Sequence, residues 1–208
     1  MYRLWRQASG NHVVLKYDRV KEAGPTWAEN GFKIEALYTV EMPEQLAKDL
    51  SKTEEPAHIT VPVRWIVNDE EITGEGYIKV SSTFDSELGK YIPMAEFDAY
   101  LFKSPGTYTV KAYIPETVEA DIKFCVYAYS PEDDYYTVLV GCYPTYEEAE
   151  EVAKGQDTII EPESENVTHS GEIEVDLGTV TIGGRKTPPP RKREPIWRPG
   201  KLLRLIFG

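Results

Sequence analysis

The chain has 208 residues, 41% of them hydrophobic and 12% aromatic, and a formal net charge of −12. That length and composition suffice to bury a core in one large or two small domains, and they exclude wholesale disorder. No run of about 18 apolar residues is present, so no membrane-spanning helix is expected. The opening MYRLWRQASGNHVVL lacks the apolar stretch and small-residue cleavage site of a secretory signal.

Taken in chain order, short runs of β-branched and aromatic residues dominate. They are His12–Tyr17, Phe32–Thr39, Ile59–Val67, Gly76–Val80, Phe97–Phe102, Tyr108–Ile114, Ile122–Tyr129 and Tyr135–Cys142. Turn signals stand at Asn68 (NDEE), Ser104 (SPG) and Ser130 (SPEDD). The series predicts a mainly β protein whose strands form an antiparallel sandwich or barrel. Two short helices interrupt it. One runs from Pro43, placed at the first helical position, to about Ser51. The other, Tyr146–Lys154, has a T-x-x-E capping box in Thr145 and Glu148, an apolar stripe of Tyr146, Ala149, Val152 and Ala153, and Gly155 as its terminator.

Composition divides the chain into a body (1–160), an acidic linker with one or two extra strands (161–184) and a basic, proline-rich C-terminal arm (185–208). Up to Gly184 there are 15 basic and 34 acidic residues, a net −19; beyond it eight basic residues face Glu194 alone, a net +7. The arm holds Arg185, Lys186, Arg191, Lys192, Arg193, Arg198, Lys201 and Arg204 around Pro188–Pro190, which favours an extended spacer. It also holds Trp197 and the apolar run Leu202, Leu203, Leu205, Ile206 and Phe207. Disordered tails seldom carry that density of apolar residues, so these residues are expected to bind a partner.

The segment Phe97–Ile114 (FDAYLFKSPGTYTVKAYI) combines a strand, a Pro-Gly turn and G-x-Y-x-V. It resembles the corner between the last core-forming strands of immunoglobulin-like sandwiches, notably PKD-type modules. The resemblance implies an immunoglobulin-like or jelly-roll sandwich, with Tyr108 as the corner tyrosine bonded to the upstream backbone and Trp65 as the core tryptophan. Val110 stands where antibody domains place a cysteine. The two cysteines of the chain, Cys125 and Cys142, fall in neighbouring strands. A turn centred on Asp133–Asp134 sets Cys125 opposite Cys142, Tyr127 opposite Val140 and Tyr129 opposite Val138. A disulfide is open to such a pair, but two buried thiols are the preferred reading without a signal peptide.

Chemistry-bearing motifs are scarce. His12, His58 and His169 have no metal-ligand spacing, and Glu132-Asp133-Asp134 reads as a solvated turn. G-x-S-x-G, P-loop, dinucleotide-binding and H-E-x-x-H signatures are missing. No enzyme, cofactor or metal is therefore expected. The sequence points to a structural or assembly protein, with a virion component (capsid-associated, decoration or tail protein) fitting best, its arm engaging a neighbouring protein subunit. The alternatives are a carbohydrate- or protein-binding recognition module, or an arm that contacts nucleic acid. Virion or cytoplasm is the expected location, and the scarcity of Asn and Gln leans towards a thermophilic source.

Overall fold

The computed structural model describes residues 10–26 and 30–183. The arm at 185–208, with all its expected contact residues, lies outside the described residues. Eight strands and two helices follow in the order β1 (His12–Pro25), β2 (Gly31–Glu41), α1 (Glu44–Leu50), β3 (Ala57–Val67), β4 (Glu70–Asp85) and β5 (Lys90–Phe102). The chain continues with β6 (Gly106–Ser130), β7 (Tyr135–Tyr143), α2 (Tyr146–Ala153) and β8 (Thr158–Ile182).

These residues form strands because their apolar side chains alternate. In β3, Ala57, Ile59, Val61, Val63, Trp65 and Val67 are buried while the residues between them are exposed or half-buried, the period of two that a pleated strand imposes. The strands hydrogen-bond into one sheet, β1-β2-β5-β4-β3-β8-β6-β7. Two further pairings close it: Arg64–Val67 of β3 meet Val110–Tyr113 of β6, and His12–Lys16 of β1 meet Thr117–Asp121 of β6. Six strands, β1-β2-β5-β4-β3-β6, thus join in a ring whose inward side chains include Leu15, Ile34, Phe97, Ile78, Trp65 and Val118. Gly76 makes room in that interior: a Cβ there would lie 2.3 Å from the Phe97 ring.

The change of partner along β6 falls at Pro115-Glu116. Proline has no N–H to give a neighbouring strand, and the Tyr38 hydroxyl donates to the Pro115 carbonyl in the buried interior. Burial raises the Tyr38 phenol far above its ordinary pKa. Opposite this step Gly171 takes φ 68°, a left-handed conformation glycine adopts without penalty.

The mainly β expectation with two helices holds. The sheet is mixed rather than purely antiparallel: His58 of β3 and Glu163 of β8 make a parallel bridge, since both strands run antiparallel to β6. The expected linker is replaced by one long strand, β8, whose Glu161–Glu165 pair with Asp121–Cys125. Its acidic side chains find cations and hydroxyls across the ribbon, as Glu165 does with Lys123 (2.6 Å), so acidity there does not signal a loop. Both helices form as read, with Thr145 accepting from the Glu148 N–H and Gly155 at φ 73°. Pro43 is the cap of α1 rather than its first residue. Buried Asp49 of α1 accepts from the Tyr146 N–H (3.2 Å), which ties the two helices together.

Candidate interaction surface

β7 is the last strand of the sheet and pairs only with β6 among the described residues. Three features hold it in place. The β6–β7 turn places Asp134 at φ 53°, a left-handed position that Asp tolerates. Asp133 accepts from the Thr137 hydroxyl (2.7 Å) while its backbone N–H donates to the Ser130 hydroxyl, and side-chain hydrogen bonds with Thr137 and Ser130 hold its carboxyl below its ordinary pKa. At the other end of the hairpin, Cys125 and Cys142 are joined in a disulfide with Cα atoms 4.0 Å apart. The predicted pairing of these two residues is therefore correct and the preferred thiol state is not. Glu163 lies beside them, but the sulfurs are spent on each other.

The remaining predicted register slips. Bulges follow Val126 and Ala128, so Tyr127 meets Leu139 rather than Val140, and Tyr129 meets Tyr136 rather than Val138. Each bulge leaves an extra residue on one strand and increases the local twist. Tyr129 packs edge-on against Tyr136 with centroids 5.6 Å apart, and Tyr136 donates to Asp157 (2.8 Å). That bond raises the Tyr136 phenol, and a hydrogen bond to Glu163 pushes Tyr127 up to about 12.

What this scaffold presents is apolar. Val138, Leu139 and Val140 are 53%, 54% and 42% exposed, and Tyr135 is 59% exposed. Because neighbouring strand residues point to opposite faces, both faces of β7 are open among the described residues, as is its outer edge. Acidic residues surround it: from Ser130 to Asp157 there are eight Asp and Glu against Lys154 alone. Sequence reading missed this surface, although the run VLV beside the acidic SPEDD turn carries the signal.

A concavity of about 170 Å³ is lined by Arg64, Thr73, Tyr113, His169 and Glu172 among others. Its one cation is committed. Arg64 pairs with Glu172 (2.9 Å) and Glu71 (3.4 Å) and lies 4.1 Å over the Tyr113 ring. The guanidinium in turn holds Glu172 below its ordinary pKa.

The other residues singled out from the sequence are structural. Trp65 is fully buried, and its Nε1 has no hydrogen-bond partner among the described residues. Tyr108 donates to the Ser104 carbonyl (2.9 Å), the backbone bond of a corner tyrosine, with its half-buried ring edge-on to Phe32. His12 bonds Asp121 (2.9 Å), whereas His58 and His169 stand apart in the fold as in the sequence. No described helix is long and apolar enough to cross a membrane. Comparison with protein-family models, curated proteins and solved structures finds no match for this chain.

Proposed function

We propose that this chain is a non-catalytic structural subunit whose C-terminal arm, residues 185–208, engages a neighbouring subunit, as in a virion component. One observation carries the reading: among the described residues, the apolar strand β7 is exposed on both faces and paired along one edge alone. Such a strand templates further pairing, and the arm supplies both an apolar run and opposite charge. The disulfide adds weight to the thermophilic lean, since intracellular disulfides are common in hyperthermophiles. The Tyr108–Ser104 bond supports kinship with immunoglobulin-like sandwiches.

The test is light scattering on the full chain and on a chain cut after Gly184. The full chain is expected to assemble and the cut chain to stay folded but monomeric. Normal assembly of the cut chain with loss of nucleic-acid binding would instead assign the arm to a genome. A second reading has its own observation: Tyr77, Tyr100 and Phe102 are exposed on neighbouring strands β4 and β5, an aromatic platform suited to stacking on sugar rings. Calorimetric titration with oligosaccharides checks it, and quenching of tyrosine fluorescence is the expected sign.

A further inference from the structure

We infer that the apolar terminus Leu202–Phe207 of one copy adds as a strand to the open edge of β7 in a second copy, joining copies head to tail. The inference rests on the arm reading above and adds the receptor strand and the symmetry. Strand addition needs an unpaired edge to supply main-chain hydrogen bonds, with side chains on alternate faces setting specificity. β7 offers that edge. Its exposed side chains lie on both faces: Val138 and Leu139, paired in succession with Ala128 and Tyr127, point to opposite faces, and Val140 stands at the bulge beside them. A partner apolar on only one face would leave half of them in water. The sequence LLRLIF meets the demand: Leu203, Leu205 and Phe207 alternate with Leu202 and Ile206, and Arg204 is the single cation.

Charge points the same way. The eight acidic residues around β7 answer the eight basic residues of the arm. Opposite fields of this kind steer encounter and suppress wrong partners.

Reach decides between the same copy and another. β8 ends at Ile182, paired beside Gly106, whereas β7 starts its pairing with β6 at Phe124. That interval is on the order of 60 Å of strand at about 3.3 Å per residue. The residues between Ile182 and Leu202 span roughly 65 Å only when fully extended, so folding back onto the same body consumes nearly all of their reach. A copy stacked beyond the Gly106 end lies well within it. Arm and receptor are then different patches at opposite ends of the subunit. The contact is heterologous and gives rings or open filaments rather than closed dimers. Residues 1–9 are the competing occupant, because Asn11 is bonded to Ile122 beside the start of β7. They carry Tyr2, Leu4 and Trp5 but lack an unbroken two-faced apolar run.

The experiment uses two full-length variants, V138C and L205C, each with the native disulfide intact, mixed and treated with a short bismaleimide before mass spectrometry. The expected product is a two-chain species linking positions 138 and 205, formed in the mixture and in neither variant alone. A V138C–V138C product alone would make the contact two-fold between β7 strands and overturn the inference. A 138–205 link found only within single chains of a V138C/L205C double variant would place the arm in cis and overturn it too. If the cut after Gly184 abolishes assembly yet no 138–205 link forms, the arm reading survives and β7 is not its receptor. In that case, loss of assembly on deleting residues 1–9 would assign β7 to the N-terminal segment. If the cut chain assembles normally, the arm reading itself fails. As a second measure, Leu205→Asp is expected to weaken assembly at least tenfold.

Discussion

In β3 every second side chain from Ala57 to Val67 is buried, whereas in β7 the run Val138, Leu139 and Val140 is exposed on both faces. Both strands are rich in β-branched residues, so propensity does not separate them. Closure does. β3 has β4 along its whole length on one side and β6 over Arg64–Val67 on the other, inside a ring that covers one face. Among the described residues β7 has only β6, and apart from the two bulges it carries no proline or lysine within Tyr135–Tyr143 to blunt its edge. A strand built like a core strand thus stays exposed among the described residues, held in place by its turn and its disulfide.

The sharpest way to break this contrast is in the ring. Trp65→Ala removes a fully buried side chain and is expected to cost about 3–5 kcal/mol, read from denaturant midpoints at constant slope. Trp65→Phe is expected to cost much less, because the indole Nε1 has no hydrogen-bond partner among the described residues. An equal loss in both variants would show that the N–H has a partner after all.

Next in size is the disulfide. It closes a loop of 17 residues, for which the chain-entropy account gives about 3 kcal/mol. Reduction, or Cys142→Ser in a Cys125→Ser background, is expected to lose that stability in the β6–β7 hairpin, a wing outside the ring, rather than in the ring. Hydrogen exchange is the check: amides of Tyr135–Tyr143 should exchange faster while those of β3 and β4 hold. Uniform acceleration would mean that ring and wing unfold as one unit.

Two tyrosines sharpen the contrast at smaller scale. Tyr38→Phe leaves the buried Pro115 carbonyl without its donor and is expected to cost about 1–3 kcal/mol. Tyr108→Phe removes a bond of similar type at the surface, where water replaces the lost donor, so about 0.5 kcal/mol is expected. A larger effect at Tyr108 than at Tyr38 would reverse the assignment of inside and outside along the ring.

Much of this was legible in the sequence, for reasons that differ by element. The strands of the ring announce themselves because each buries one face, and alternation survives in the residues. α2 is legible because its cap and terminator are local chemistry at Thr145, Glu148 and Gly155. The Cys125–Cys142 pairing follows from the turn, but bulges after Val126 and Ala128 shift every later pair, and a bulge has no strong local signature. In the sequence the polar, acidic stretch Glu161–Asn166 reads as a linker rather than as part of a strand. Long-range partners, Lys123 for Glu165 and Tyr127 for Glu163, settle those carboxylates, and a sequence window does not contain them. Ring closure through β6 is likewise non-local: one strand serves β3 before Pro115 and β1 after it.

The smallest expected effect on stability is also the one that separates the two regions most cleanly. Leu139→Lys places a charge on a side chain that is 54% exposed. In a ring strand such a change would bury an unpaired cation and cost several kcal/mol. On β7 the ammonium stays in water, the lost apolar contact is with solvent, and the surrounding acidic residues favour a cation. In dilute full-length protein the change in unfolding free energy is therefore expected to stay within about 0.5 kcal/mol. With rising protein concentration the picture should change. Anything that binds only the folded state raises the melting temperature by mass action, so an unaltered chain that assembles through β7 gains stability with concentration and Leu139→Lys does not. The two melting curves should coincide when dilute and separate when concentrated. A gap already present at the lowest concentration would mean that Leu139 is covered within the single chain, and β7 would then belong with the ring.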